Sequence, residues 1–75
     1  MRRNLMRALY STQKHFRAVI LGMPEGWQVS IYDLQKQEWV EKSGGIEDTL
    51  KTAKATAQEK TSLLLGKKAP EIKWH

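Results

Sequence analysis

The chain has 75 residues, no cysteine and a net charge of +5, which allows one domain at most and excludes disulfides and thiolate metal sites. A core this small gives only marginal stability, so a homodimer or a tight complex with a small protein partner is the expected reinforcement. The longest apolar run is far short of the roughly 18 residues of a membrane span; no secretory signal is apparent, and the lack of cysteine fits a cytoplasmic location.

The charge is unevenly placed. Arg2, Arg3, Arg7, Lys14 and Arg17 stand in the first 17 residues with no acid among them, and the remaining lysines and acids cancel. An anionic partner would therefore be sought at the amino-terminal end.

In chain order, "MRRNLMRALYSTQ" places Leu5, Met6, Leu9 and Tyr10 on one side of a helix, with Arg2, Arg3 and Arg7 beside or opposite them. This predicts a short basic amphipathic helix over residues 1–14. Its stripe of about three turns is marginal in water without something to pack on. Residues 15–43 predict a three-stranded meander. In "HFRAVILG", Phe16, Ala18 and Ile20 alternate with Arg17, Val19 and Leu21. Both faces are fairly apolar, as in a central strand covered on both sides or on one side by a partner. Pro24 and Gly26 mark a turn. In "WQVSIYDL", Trp27, Val29 and Ile31 face one way and Gln28, Ser30 and Tyr32 the other. "QKQ" is a polar connection without glycine, and "EWVEK" predicts a third short strand centred on Trp39 and Val40.

Ser43-Gly44-Gly45 breaks the strand pattern, and a long helix is predicted over 45–65. Ile46, Leu50, Ala53, Ala57 and Leu64 define its face, Glu47 and Asp48 its acidic first turn, and Gly66 its left-handed stop. Small residues in mid-stripe let such a helix lie close on a sheet. Position 61, where the stripe should recur, is threonine. The tail, 70–75, alternates Ile72 and Trp74 with Lys73 and His75, as an edge strand would.

Residues suited to catalysis are sparse. His15 and His75 are the only histidines, one before a strand and one at the last position, and nothing pairs them with a nucleophile or a metal-ligand set. Asp33, Glu38 and Glu41 alternate with lysines around a turn, as in a solvated hairpin rim. "LGKKAP" lacks the glycine-rich loop of a phosphate cradle. No catalytic residue, cofactor or metal is expected. The basic residues Arg2, Arg3, Arg7, Lys14 and Arg17 are candidate contacts for phosphates or an acidic partner. Leu9, Tyr10 and Trp74 are candidate anchors for a protein interface. Trp27, Trp39 and Trp74 can stack on bases or anchor a partner, but are read first as core residues of a small sheet.

The order of three strands, a glycine and "EDTLKTAKATA" resembles the small domain of HicB-type antitoxins, in which a glycine-containing turn leads into a helix of pattern E-E-A-L-x-N-A. Glu47, Asp48, Leu50 and Ala53 match that pattern, and "LLLGKKAP" is similar to the family's helix end. With the first helix counted, the order helix, three strands, helix also resembles a double-stranded-RNA-binding domain, which reads RNA through phosphates and 2′-hydroxyls. That family has lysines at the start of its last helix; here Glu47 and Asp48 stand there, and Lys51 and Lys54 follow one turn later.

The expected fold is α+β: an antiparallel sheet of three or four strands with one long helix on one face, preceded by the short amino-terminal helix. The expected function is a non-enzymatic binding module of HicB-like type acting through protein contact. The alternative is RNA or DNA binding through the basic first helix.

Overall fold

A computed structural model describes residues 7–40, 45–67 and 72–75. Five strands, β1 (Ala8–Gln13), β2 (Phe16–Met23), β3 (Gly26–Asp33), β4 (Glu38–Trp39) and β5 (Ile46–Glu47), precede one helix, α1 (Leu50–Leu65). All pairings are antiparallel, in the order β1-β2-β3-β4, and β5 pairs the same edge of β3 that β4 uses. No described helix is long and apolar enough to cross a membrane.

The first departure from the sequence expectation is at the amino terminus. Residues 8–13 form a strand, not the second half of a helix, and residues 1–6 lie outside the described residues. The physical reason is the neighbour. An isolated three-turn helix is marginal, whereas six cross-strand pairs with β2, from Ala8↔Leu21 to Gln13↔Phe16, satisfy the inward-facing backbone groups of this segment. Leu9 then packs against the core instead of lying on a helical stripe. Over residues 8–13 a strand thus stands where the helix-first order of the RNA-binding resemblance places a helix.

Two-residue turns join the long strands, at Lys14-His15 and Pro24-Glu25. Lys14 takes a left-handed φ of 56°, the conformation a tight hairpin requires at its first turn position. The β3–β4 connection, residues 34–37, is held by Asp33. Its carboxylate accepts the N–H groups of Gln35 at 2.9 Å and Lys36 at 3.0 Å, and its carbonyl accepts the N–H of Gln37 at 2.7 Å. That explains a turn without glycine: the aspartate side chain replaces the missing backbone partners.

Along β3 the facing chain comes in two pieces. Val40 donates to the Ile31 carbonyl at 2.8 Å, and Gly45 accepts from Val29 at 2.8 Å. The pairing register advances by three residues between β4 and β5. Ile46 and Glu47 are thus strand residues opposite Gln28 and Trp27, not the first turn of the helix.

The helix starts later than the sequence pattern suggests. Thr49 is the N-cap: its hydroxyl accepts from the Thr52 N–H at 3.1 Å, and the Thr52 hydroxyl accepts from the Thr49 N–H at 3.3 Å. This reciprocal box fixes the boundary and leaves Glu47 and Asp48 outside the first turn. At the other end Gly66 has φ 76°, and its N–H donates to Ser62 and Leu63 while Lys67 donates to Ser62. The helix ends where the sequence places its stop.

The core lies between the helix and one face of the sheet. It joins Phe16, Ala18 and Ile20 of β2, Val29 and Ile31 of β3, and Ala53 and Ala57 of the helix, with Leu9, Trp27, Val40, Leu50, Leu65 and Trp74 packed around them. The helical face runs through Ala53, Ala57 and Thr61 to Leu65, whereas Ile46 and Leu64 are 51% and 37% exposed. The two alanines let the helix lie close to β2 and β3, and a larger side chain at either position would hold it away.

The helix packs on β2 and β3, and the tail covers the β1 side. Gln58 accepts from the Ile72 N–H at 3.1 Å, Ile72 is buried and Trp74 packs on the core. Tyr10 and His75 exchange two backbone hydrogen bonds, of 3.0 and 3.2 Å, on the outer edge of β1.

Thr61 carries a specific prediction. It is 1% exposed, and among the described residues its hydroxyl has no hydrogen-bond partner. Thr61→Val keeps the shape and removes the unpaired polar atom, so it should stabilise the fold by about 1 kcal/mol and raise Tm by roughly 4–8 °C in a domain of this size. A thermal unfolding curve unchanged or shifted downward would show that the hydroxyl has a partner in solution.

Candidate functional site

The described residues cover one sheet face and leave the other open. The registers place Ala8, Leu21, Gln28 and Ile46 in one cross-strand row, Tyr10, Val19 and Ser30 in the next, and Thr12, Arg17, Tyr32 and Trp39 in the last. Antiparallel sheets commonly expose one face to water, and that face is then polar. Here it holds three aromatic rings, several aliphatic side chains and, among the described residues, no carboxylate.

Arg17 is at the centre of the polar contacts on this face. Its Nε donates to the Thr12 hydroxyl at 3.0 Å, and its guanidinium carbon lies 5.4 Å from the centre of the Tyr10 ring. Both contacts follow from the hairpin, in which Thr12 is directly opposite Arg17 and Tyr10 is diagonal to it. They hold a cation against a ring while leaving the side chain exposed. One strand further, Tyr32 and Trp39 meet as a cross-strand pair, 5.0 Å between ring centres and inclined at 78°. Trp39 is 57% exposed and Tyr10 is 47% exposed. At the β1 edge, the His75 ring lies 6.0 Å from Tyr10.

The residues singled out in the sequence separate into three groups. Arg2 and Arg3 lie outside the described residues. Arg7, Lys14 and Arg17 are all exposed: Arg17 lies on the open face and Lys14 in the β1–β2 turn, whereas Arg7, whose carbonyl accepts from Gly22, precedes β1 in register with Leu9 and Ser11 on the helix side. Leu9 and Trp74 pack against the core, and only Tyr10 of the three candidate anchors lies on the open face.

Trp39 is the residue that sequence reasoning misplaced. Treated as core with Trp27 and Trp74, it instead lies on the opposite face from both. The signal was the alternation of Glu38, Trp39 and Val40: once Val40 packs inward, Trp39 must point outward.

Elsewhere, a shallow cleft of about 520 Å³ between the helix end and the β3–β4 loop is lined by Asp33, Lys36, Glu38 and Leu64, among others. Its one buried carboxylate, Asp33, is already engaged by the two loop N–H groups. Among the described residues no group of three His, Asp or Glu side chains converges as a metal site. No protein-family model, curated protein or solved structure matches this chain, so the open face is the feature from which its role must be argued.

Proposed function

We propose that this chain is a binding module without catalytic chemistry, and that its ligand is nucleic acid held against the open face of the sheet. The observation that carries this reading is the placement of Arg17 among Tyr10, Tyr32 and Trp39 on a face without a carboxylate among the described residues. Lys14 adds positive charge in the β1–β2 turn beside that face. Arginine and lysine neutralise phosphates, and exposed rings accept bases. Among the described residues, the basic side chains thus contribute through a hairpin.

The protein-contact reading favoured by the sequence loses two of its three anchors, Leu9 and Trp74, to the core. It keeps the exposed Tyr10, together with the exposed Ile46 and the half-buried Val19 and Leu21 on the same open face.

Fluorescence anisotropy with labelled mixed-sequence oligonucleotides, single-stranded and duplex, tests the proposal across a salt series. With two phosphate contacts, from Lys14 and Arg17, log affinity for the single strand should fall against log salt with a slope of about −1.4, and Arg17→Ala should reduce its magnitude by about 0.7. Binding that ignores salt and Arg17 would sink the proposal. So would a chain that binds neither oligonucleotide but doubles its mass in sedimentation, which would instead support contact with a second copy.

A further inference from the structure

The shape of the open face goes beyond nucleic acid in general. We infer that it takes an unpaired strand, holding separate bases by stacking at two ring platforms, and does not take a duplex. This inference rests on the nucleic-acid reading just proposed. One platform is Tyr10 with the Arg17 guanidinium over its ring, where the planar guanidinium itself offers a stacking surface, and the other is the Tyr32–Trp39 pair.

Spacing is the first reason. Tyr10 pairs with Val19 and Tyr32 pairs with Arg17, so the two platforms are two strands apart and one row apart. Strand spacing and rise put them roughly 12 Å from each other. Successive bases of a duplex strand are separated by only about 3.4 Å and are stacked on one another. Bases that occupy both platforms must therefore have left the helical stack, which an unpaired strand does readily.

Surface form is the second reason. A duplex is read by an element that enters a groove, and the described part of this face is a sheet bearing rings. Trp39 meets Tyr32 edge to face, an arrangement that leaves flat ring surface uncovered where a parallel stack would hide it. Val19, between the two platforms, is half-buried and apolar, so a base laid there also displaces water from hydrocarbon.

Charge gives the strand a side. Lys14 and Arg17 are on the β1–β2 hairpin, whereas Tyr32 and Trp39 are on β3 and β4. A strand laid across the face would keep its phosphates toward the hairpin and turn bases toward β3 and β4.

The test compares one labelled mixed-sequence 12-mer, alone and annealed to its complement, against the full chain by anisotropy at low salt. The single strand should bind at least ten-fold tighter than the duplex. Trp39→Ala should weaken single-strand binding by roughly 5- to 150-fold, the range measured for one stacked base, without changing the salt slope. Trp39→Phe keeps a ring and should retain most of the affinity. Tyr10→Ala, at the other platform, gives an independent reading if Trp39→Ala disturbs the fold.

Equal affinity for both forms, or no loss in either alanine variant, would overturn the stacking inference. It would leave the nucleic-acid reading standing if the salt slope and its Arg17 dependence persist. Failure to bind either form would overturn both.

Discussion

Ile31→Ala is expected to remove about 4 kcal/mol of folding free energy. Ile31 is fully buried in β3, opposite Ala18 of β2, and lies in the cluster that the helix alanines Ala53 and Ala57 close. The two short alanine side chains cannot reach into the space that a truncated isoleucine would leave, and the close helix–sheet contact resists collapse, so most of the cavity term persists. A domain of this length has a total stability on the order of 4–11 kcal/mol, so the variant should retain roughly 0–7 kcal/mol and show a urea midpoint, followed by far-UV circular dichroism, far below that of the parent chain. Val19→Ala, on the open face of β2, should cost no more than about 1 kcal/mol, because its side chain is only half-buried. Similar losses at the two positions would mean that the helix does not select one face of the sheet in solution.

Gly26→Ala is expected to have the second large effect, about 2–3 kcal/mol of destabilisation from strained backbone and steric overlap together. Gly26 has φ 148°, and a Cβ there would approach the Glu47 carbonyl oxygen to 2.5 Å. The overlap is with backbone, so no side-chain rotation relieves it. The paired strand β5 would have to move away from β3, and the Val29 N–H, which donates to Gly45, should lose protection from hydrogen exchange. Gly66→Ala provides the control. Gly66 also has a positive φ, 76°, but none of the described residues lies within 4 Å of the added carbon. It should cost only about 1 kcal/mol, the conformational penalty alone. Equal effects at the two glycines would show that β5 does not press on the β2–β3 turn.

These expectations concern a fold whose central part was legible before any coordinates. The alternation of Phe16, Ala18 and Ile20, and of Val29 and Ile31, assigns two long strands and their buried faces because side chains in a strand change sides at every residue. Pro24 and Gly26 mark the turn between them. Gly66 marks the helix end, since a glycine tolerates the left-handed conformation that ends a helix. The tail pattern also translates directly: Ile72 and Trp74 pack inward, and Lys73 and His75 are exposed.

Four features escaped the sequence pattern, each for an identifiable reason. Leu9 and Tyr10 fit a helical stripe together with Leu5 and Met6, but Leu9, Ser11 and Gln13 fit a strand equally well. Only the free edge of β2 decides between them. Ile46 lies four residues before Leu50 and so appears to continue the helical face, yet the unpaired edge of β3 at Trp27 and Gln28 draws Ile46 and Glu47 into the sheet. Thr49 and Thr52 are a less familiar capping pair than Thr with Glu, and they set a later helix start than the acids suggested. Trp39 resembled a core residue by type, but the strand alternation sends it to the open face.

What the amino-acid sequence determined by itself is therefore local: which residues alternate, where turns and helix ends fall, and that the positive charge gathers within the first 17 residues. What the tertiary structure alone decided is which backbone groups find partners across the sheet. That choice made β1 a strand, divided the chain facing β3 into β4 and β5, and brought Tyr10, Arg17, Tyr32 and Trp39 onto one surface. Hydrogen bonds between strands join residues distant in sequence, and no periodicity within a single segment records them.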